Sequence, residues 1–410
     1  MSERLDVAIV GGGLVGASLA IALAPTGKRV ALIEAAAPPS GEPSWDERCI
    51  AVNAASHRIF SALGVWEELA AFAEPIVSTH ISERGRFGVA RFTAQQAGLP
   101  ALGYNIPVRA LGQQLWSQAK KTATEVFCPA QLEGIDTGAD AVSLRLKPEP
   151  SGLSARLVVA ADGAQSALRG LLGIGAETRD YGQHAIVTAV RPARAHAGCA
   201  YERFTPDGPI ALLPKPEGAC SLVWTVPSER VQMMLGWDEE KFMDEAQQAF
   251  GERLGVFKAL GRRSAYPLSR VLNEQLTAPR VLFAGNAAQS LHPVAAQGFN
   301  LGLRDIAAIA ELLADAPDAG SAELLKTYAQ RRRHDREGTA DFTDQLVRLF
   351  SNRVPGLSAL RHLGLLVLDL APPLKERVMW QNLGYRGATP RMARASDPSP
   401  PGGEGRVRGS

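Results

Sequence analysis

Cysteine is scarce in this sequence. The four cysteines, Cys49, Cys128, Cys199 and Cys220, are widely spaced, and no two of them form a C-x-x-C pair. This spacing argues against a disulfide reductase, a zinc site and a secreted disulfide scaffold. We therefore expect no metal site in this protein.

The sequence also lacks a large net charge, since its 410 residues include 44 Lys and Arg against 42 Asp and Glu. This balance gives no indication of a nucleic-acid partner. No apolar run approaches the roughly 20 residues that a membrane-spanning helix needs, and the N-terminus has no signal-peptide pattern. We expect a cytoplasmic protein, with room for peripheral contact at the inner face of the cytoplasmic membrane.

The first segment with recognisable chemistry is N-terminal. A short apolar strand, Leu5 to Val10, runs directly into a glycine-rich turn, GGGLVG. In such a turn Gly11 allows the tight bend, Gly13 lets a pyrophosphate approach the backbone, and Gly16 lets the helix pack on the strand. A second strand ends at Glu34, where a carboxylate accepts hydrogen bonds from adenosine ribose hydroxyls. The pattern predicts a bound dinucleotide and leaves NAD and FAD open.

A second segment, RLVVAADGAQSALR, begins at Arg156. Its apolar strand ends at Asp162 and Gly163, and Ser166 and Arg169 follow at helical spacing. Asp162 can cap the start of a helix and accept hydrogen bonds, and Arg169 supplies positive charge one turn after Ser166. Taken alone, the segment is an Asp-Gly turn followed by a capped helix.

A third segment, RVLFAGNAAQSLHPVAAQGFNLGLRD, joins a short strand to a helix through a polar loop. Strand end, glycine turn and helix N-terminus together form an anion site, because free backbone N–H groups point at the ligand. A proline stiffens this loop, and glycine lets the backbone approach a flat ligand. The candidate residues are Gly285, Asn286, His292, Pro293, Gln297, Gly298 and Asn300.

The three segments resemble the flavin-contacting motifs of the FAD-dependent aromatic hydroxylases, the group A flavoprotein monooxygenases. The wording of the third is most similar to the ubiquinone-biosynthesis hydroxylases, in particular the 2-polyprenyl-6-methoxyphenol hydroxylases. In the wider family the position of Asn286 is usually an Asp that binds the ribityl chain of FAD, but that subfamily commonly has Asn. Ala296 stands where Gly is usual. The resemblance also implies that Arg48 lies near the flavin and that Arg109 and Gln113 reach the FAD phosphates and ribose.

The resemblance implies non-covalent FAD, with NAD(P)H as co-substrate and O₂ as oxidant. The implied reaction transfers the outer oxygen of a flavin C4a-hydroperoxide to the ring of a polyprenylated methoxyphenol in ubiquinone biosynthesis. Other proteins of that pathway are then possible partners. Two alternatives stay open: a flavin-dependent reductase or oxidase acting on an isoprenoid substrate, and a non-catalytic flavoprotein scaffold. The ring position, the prenyl chain length, the choice of NADH or NADPH and the oligomeric state also stay open.

The sequence identifies no general base for the phenol, because no His, Asp or Tyr has a spacing that marks one. His292 and Pro293 are the catalytic candidates, as residues of the flavin loop. His292 either tunes proton movement or stabilises that loop. On the antiparallel strands, the side chains that could line an apolar pocket are Leu212, Leu213 and Trp224.

The expected fold is α/β, a Rossmann-type FAD-binding domain with an inserted antiparallel-sheet substrate domain and C-terminal helices. The predicted divisions are FAD-binding residues 1–75, a substrate-sheet segment at 76–107, FAD-binding residues 108–175 with the Asp-Gly motif, the substrate domain at 176–270, FAD-binding residues 271–338, a C-terminal helical part at 339–390 and a disordered tail at 391–410.

Several local expectations accompany this division. We predict a helix over 50–63, separate helices over 322–336 and 342–351, and a solvated position for the charge run Arg331 to Arg333. The C-terminal part from about 342 to 370 is predicted to be a docking surface for a membrane or a partner protein, and the alternative is that its apolar helix, 357–370, packs on the FAD domain. The basic residues that could meet anionic lipid are Arg353, Arg361, Lys375 and Arg377.

Overall fold

The structure is a computed structural model, and it describes residues 4–37, 41, 48–148, 152–292, 294–350, 364, 367–385 and 389–394. Of the predicted docking surface, about 342–370, residues 351–363, 365 and 366 lie outside the described residues, and these include Arg353 and Arg361. Of the predicted tail, only 391–394 are described, and Arg391–Ala393 form a short 3₁₀ turn.

The elements follow one another in mixed α/β order. The described strands are β1 (Leu5–Val10), β2 (Val30–Ile33), β3 (Cys49–Asn53), β4 (Glu74–Ile76), β5 (Ser78–Glu83), β6 (Val89–Thr93), β7 (Gly103–Pro107), β8 (Glu125–Phe127), β9 (Gln131–Thr137), β10 (Val142–Lys147), β11 (Leu153–Ala160), β12 (Ala176–Pro192), β13 (Cys199–Thr205), β14 (Gly208–Pro214), β15 (Cys220–Pro227), β16 (Phe257–Leu260), β17 (Ser264–Asn273), β18 (Thr277–Ala278), β19 (Val281–Phe283) and β20 (Gln289–Ser290). The described helices are α1 (Leu14–Leu23), α2 (Ala54–Ala62), α3 (Trp66–Ala70), α4 (Val108–Thr122), α5 (Ala167–Leu171), α6 (Val231–Leu235), α7 (Glu239–Phe250), α8 (Gln297–Leu313), α9 (Ala322–Phe350) and α10 (Pro372–Asn382).

The first sheet is parallel at its centre, in the order β18-β19-β11-β1-β2-β8. Strands β19, β11, β1, β2 and β8 run parallel to one another, and the hairpin of β9 and β10 extends from β11. β1 and β2 are continuous apolar runs because a central parallel strand is covered on both faces. Helix α1 packs against α4 and α8 beside this sheet. The carboxyl ends of β1, β11 and β19 therefore meet at one edge.

The second sheet is largely antiparallel, in the order β20-β17-β12-β15-β14-β13-β5-β6, with β16 paired to β12. Successive side chains along each strand point to opposite faces of this sheet. One face packs on α6 and α7, and its core includes Leu212, Trp224 and Phe242. Of the three pocket candidates on these strands, only Leu213 faces the cavity described below.

The helix predicted over 50–63 is wrong in its first part, since residues 49–53 form β3. This strand pairs with β7, an antiparallel partner about fifty residues away. Ile50 and Val52 are β-branched and suit the extended pairing. Asn53 ends the strand and accepts a hydrogen bond from Ser56 N–H at 3.0 Å, so it is the N-cap of α2.

The two helices predicted over 322–336 and 342–351 are one continuous helix, α9. The solvated position predicted for the run Arg331 to Arg333 is wrong at its central residue. Arg332 is 2% exposed and is paired with Asp305 at 2.6 Å and Asp335 at 2.8 Å. Arg332 and Asp335 of α9 are therefore buried polar partners of α8.

No helix among the described residues is both long enough and apolar enough to cross a membrane.

Candidate active site

A cavity of 1220 Å³ lies where the carboxyl ends of β1, β11 and β19 face the second sheet. In open α/β sheets this edge is the usual place for ligands. Much of the described wall is apolar, and the cavity extends from the glycine-rich turn to α9 and α10. The predicted site residues that line it are Gly13, Arg48, Gly163, Asn286, Gln297, Gly298 and Asn300.

The glycine-rich turn is packed closely against neighbouring backbone at Gly11 and Gly16 and is open at Gly13. Gly11 has a φ of 101°, and a β-carbon there would collide with the backbone of Ala161. A β-carbon at Gly16 would collide with the carbonyl oxygen of Gly11, which explains how closely α1 approaches β1. At Gly13 no atom lies within 4 Å of that position. The turn thus leaves room for a ligand beside Gly13.

Glu34 contacts the turn in a way that the sequence did not predict. One carboxylate oxygen accepts the Gly12 N–H at 2.6 Å, and the other accepts the Ala36 N–H at 2.9 Å. The side chain therefore ties the end of β2 to the turn after β1. Each oxygen has further lone pairs with which it can accept a ribose hydroxyl.

The Asp-Gly segment places a buried acceptor and an open backbone side by side. Asp162 Oδ2 accepts the Leu168 N–H at 3.2 Å, while Oδ1 is buried without a hydrogen-bond partner among the described residues. Gly163 has a φ of 84°, and a β-carbon there would meet nothing within 4 Å. Ser166 is the N-cap of α5 and accepts the Arg169 N–H at 3.1 Å. An unpaired buried carboxylate oxygen is costly, so it points to a ligand donor.

The loop between β19 and α8 is anchored from within. Gly285 donates its N–H to Asp305 at 3.0 Å, and Asn286 is exposed at the cavity. Ala296, where the family usually has Gly, has a φ of 49°, a region that suits Gly better than Ala. A β-carbon at Gly298 would meet no atom within 4 Å.

Two predicted ligand residues of this loop also make contacts within the protein. Asn300 accepts the Asn53 N–H at 2.9 Å and donates to the Ala51 carbonyl at 2.9 Å, which ties α8 to β3. Gln297 donates to the Asn382 carbonyl at 3.4 Å. Both still border the cavity, so they shape its wall whatever else they contact.

Arg48, Arg109 and Gln113, whose roles come from the resemblance alone, differ in how they lie relative to the cavity. Arg48 lines the cavity, with its guanidinium 5.2 Å from the centre of the Tyr266 ring. Arg109 is half-buried in the first turn of α4, and Gln113 donates to the Gly41 carbonyl at 2.8 Å. Neither of these last two is among the described lining residues.

His292 is buried behind the loop, and Pro293 lies outside the described residues. The Nδ1 atom of His292 accepts the Val294 N–H at 3.1 Å. The His292 and Tyr181 rings pack edge to face, with 5.1 Å between their centres. Burial lowers the pKa of His292 to about 4, so the ring is neutral between pH 5 and 8. These contacts favour the loop-stabilising alternative over proton movement.

Sequence reasoning missed Glu202, on β13. It and Arg48 are the only charged residues among the described residues that line the cavity. Burial raises the pKa of the Glu202 carboxyl to about 7. The signal in the sequence was alternation: in CAYERFT, Ala200, Glu202 and Phe204 share one face, and two of the three are apolar.

A buried ionic network beneath the loop was also missed. Asp305 accepts from Gly285 and Gln289 in the loop and from Arg332 of α9. Asp335 then binds both Arg332, at 2.8 Å, and Arg304, at 2.7 Å. Burial opposes ionisation of Asp335, but the two guanidinium groups hold the pKa of its carboxyl at about 2. The network couples the loop to two long helices.

At the end of the cavity near the C-terminal part of the chain the wall is mostly aliphatic and aromatic. The described lining residues there are Phe342, Leu346, Gly364, Leu368, Leu374, Val378, Met379, Asn382 and Leu383. Such a wall suits an apolar chain, and Asn382 is the polar side chain among these described residues.

Residues 4–343 match the family model described as FAD binding domain. The chain is 37% identical to the ubiquinone hydroxylase UbiL of Rhodospirillum rubrum, over 92% of this chain and 89% of that protein. It is 34% identical to the 3-demethoxyubiquinol 3-hydroxylase of Escherichia coli, over 93% and 99%. Its fold is similar to the crystal structure of p-nitrophenol 4-monooxygenase PnpA from Pseudomonas putida, with a TM-score of 0.77, 18% identity, and coverage of 94% and 99%.

Proposed function

This chain belongs to the FAD binding domain family and is an FAD-dependent monooxygenase, and from this premise we propose that it hydroxylates the aromatic ring of a polyprenylated phenol in ubiquinone biosynthesis. The reaction consumes NAD(P)H, O₂ and a proton, and it yields NAD(P)⁺, water and a new ring hydroxyl. The single observation that carries the substrate class is the continuity of one cavity from the glycine-rich turn to an apolar wall.

Three features of the chain fit FAD. The backbone at Gly13, Gly163 and Gly298 is open toward the cavity, so a flat or phosphate-bearing ligand can approach it closely. The unpaired Asp162 Oδ1 is a ready acceptor for a ligand hydroxyl. Asn286 offers an amide at the cavity, where it can bind the ribityl chain.

When bound, FAD supplies the electron transfer from NAD(P)H and the activation of O₂ that ring hydroxylation needs. The residues of this chain bind and orient the two reactants and exclude water from them. We assign these roles to the FAD-binding residues 1–75, 108–175 and 271–338, and the substrate floor to 76–107 and 176–270. The aliphatic wall formed by α9 and α10 would hold the prenyl chain.

Labelled oxygen tests this function. Purified, FAD-loaded protein would be incubated with NADH or NADPH, ¹⁸O₂ and a short-chain 2-prenylphenol. Incorporation of one ¹⁸O atom into the ring, at one label per NAD(P)H consumed, is the expected result. NAD(P)H oxidation without label in the ring would identify a reductase or oxidase. A protein that binds FAD but consumes no NAD(P)H with any prenylphenol would be a scaffold.

We propose in addition that the C-terminal end of the cavity lies on an anionic membrane surface. Leu368 and Leu374 line the cavity, while Leu370, 78% exposed, and Trp380, 41% exposed, are exposed beside them. Arg377 is exposed on the same helix as Trp380. A substrate with a prenyl tail resides in the membrane, so a cavity that opens beside exposed apolar groups gives it a route.

Lys375, predicted to contact lipid, has a different partner. Its ammonium group binds Asp369 at 2.7 Å and lies 5.9 Å from the centre of the Phe92 ring. The Asp369 carboxylate also accepts the Arg91 N–H at 3.2 Å. Lys375 thus fastens the C-terminal segment to β6, and Arg377 remains the described basic candidate for contact with lipid.

A further inference from the structure

We propose that Glu202 is the catalytic base of this enzyme: its carboxylate accepts the hydrogen bond of the substrate's phenol hydroxyl and then its proton. The proposal rests on the proposed hydroxylation and adds to it the group that orients and activates the ring. It is based on three observations: Glu202 lies on the cavity floor, no described residue forms a hydrogen bond or ion pair with its side chain, and its neighbours across the strands are apolar.

The floor is the inner face of the second sheet, and the strand register places Glu202 within it. Glu202 lies opposite Ile81 of β5 on one side and Ala211 of β14 on the other. Ala211 in turn lies opposite Val223 of β15. All four side chains line the cavity. A single carboxylate therefore stands in a row of apolar side chains, on a surface that a ring would lie against.

The carboxylate has no partner in the protein. Among the described residues no hydrogen bond or ion pair reaches the Glu202 side chain. The neighbouring Arg203 lies on the opposite face and donates to the Phe250 carbonyl at 2.5 Å. Glu202 is half-buried and faces a largely apolar cavity, so its carboxylate without a protein donor suits a ligand with an acidic hydrogen.

Few groups compete for this role. The other titratable residues on the described cavity wall are Arg48, Cys49, Tyr201 and Tyr266. Burial raises the pKa of Tyr201 to about 12, so it stays neutral, and Arg48 lies over Tyr266. The nearby hydroxyl side chains can share a hydrogen bond but cannot hold a proton at neutral pH.

The proton transfer is balanced as follows. The phenol O–H bond breaks, its electron pair stays on oxygen, and the proton binds a Glu202 oxygen. The ring, now richer in electrons, would form a bond to a hydroxyl oxygen derived from O₂, which FAD and the two electrons of NAD(P)H would supply; the O–O bond breaks, the second oxygen leaves as water, and the phenolate oxygen becomes a carbonyl. Loss of the ring hydrogen as H⁺ to solvent restores aromaticity, and the product oxygen recovers the proton from Glu202. A carboxyl pKa of about 7 lies much nearer to that of a phenol, about 10, than an ordinary carboxyl pKa does.

The first test measures binding without turnover. Oxidised, FAD-loaded protein would be titrated with 2-geranylphenol and with its methyl ether, and binding would be followed through the flavin absorbance at pH 6 and pH 8. We expect wild type to bind the phenol about tenfold more tightly than the ether at pH 8, where the carboxylate is mostly ionised, and to lose most of that preference at pH 6. Glu202→Gln should show a small preference that does not change with pH.

The second test measures turnover. The hydroxylation rate of wild type should rise with pH through about 7, as the carboxyl ionises. Glu202→Gln should be slower by about 10²–10⁴-fold, with a flat profile over the same range. Glu217→Gln is the matched control, because Glu217 is exposed on the turn between β14 and β15 and pairs with Arg191 outside the cavity. Its flavin content, binding preference and pH profile should equal those of wild type.

The outcomes separate the two proposals. If Glu202→Gln keeps the wild-type preference for the phenol and the wild-type pH profile, Glu202 is not the base and this inference is overturned. If wild type binds the phenol in preference to the ether with the expected pH dependence but never hydroxylates it, the proposed function fails while the assignment of Glu202 to the phenol hydroxyl stands.

Discussion

Glycine residues of the site fall into two physical classes. Gly11 and Gly16 are required by the protein itself, because a side chain at either would collide with neighbouring backbone. Gly13 and Gly298 face open space and neither has a left-handed backbone, so nothing within the chain explains why a side chain is missing, whereas the φ of 84° at Gly163 by itself favours glycine. A ligand that occupies the space explains it. The first class predicts loss of folding on substitution, and the second predicts loss of ligand alone.

Gly13→Val should therefore give a folded protein without flavin. The valine side chain would stand where the pyrophosphate approaches the backbone, but its β-carbon would meet no protein atom within 4 Å. The measurement is the flavin absorbance of the purified protein beside its circular dichroism. Gly170→Val is the control, since a β-carbon there also meets nothing and Gly170 is not among the described cavity residues. Full flavin content in Gly13→Val would contradict the assignment of this turn to FAD.

Asn286→Asp should keep FAD, because either side chain can accept a ribityl hydroxyl. The ionised carboxylate adds a negative charge at the cavity, which opposes the arrival of electrons. We expect a more negative flavin midpoint potential and slower reduction by NAD(P)H, as measured by spectroelectrochemistry and stopped flow. An unchanged potential would place Asn286 away from the flavin, and insoluble protein would show that its role is structural.

At the scale of elements, the flavin loop owes its position to the helices beneath it. Asp305 of α8 binds two loop residues and is itself paired with Arg332 of α9. A buried charge that loses its partner is strongly destabilising, because the remaining charge stays desolvated. The long helix α9 thus helps to position the flavin loop, although its polar residues are not among the described residues that line the cavity.

Arg332→Met should lower the free energy of unfolding by about 3–5 kcal/mol and weaken FAD binding, since it leaves Asp305 and Asp335 without their shared cation. Arg333→Met is the matched control, because Arg333 is 73% exposed and has only a 3.9 Å contact with Glu337. It should change the free energy by less than about 0.5 kcal/mol. Urea unfolding at pH 7 measures both. Equal effects from the two variants would mean that the network contributes no net stability.

The same network makes the molecule sensitive to acid. The pKa of Asp335, about 2 in the folded protein, is below the value of about 3.9 for an unfolded chain. Its stabilising contribution is therefore present above about pH 4 and is lost as the pH falls toward 2. The difference in free energy of unfolding between wild type and Arg332→Met should accordingly shrink as the pH falls from about 4 to about 2.

At the scale of the whole molecule, one cavity joins the cofactor edge of the first sheet to a C-terminal apolar surface. Leu370→Asn with Trp380→Asn should leave folding and flavin content unchanged, because both side chains are exposed. Sedimentation with anionic phospholipid vesicles should weaken by about tenfold or more, as apolar area at the lipid is lost. Met233→Asn is the control, since Met233 is 52% exposed on α6. Equal sedimentation of all three proteins would exclude this surface as the lipid contact.

Local patterns in the sequence determined the cofactor side of this protein. The glycine turn, the Asp-Gly segment and the loop before α8 are visible in the sequence because turns, caps and close backbone approach are encoded within a few neighbouring residues. The same holds for the alternation that marks the strands of the second sheet, and the resemblance carried by these segments agrees with the family match.

Only the tertiary structure decided what depends on residues distant along the chain. β3 is a strand because β7 pairs with it, and Arg332 is buried because Asp305 of another helix forms an ion pair with it. Glu202 is set apart by strands β5, β14 and β15, which place apolar side chains beside it, and among the described residues no hydrogen bond reaches its carboxylate. Burial and charge pairing are properties of the assembled fold, so the residue types alone could not reveal them.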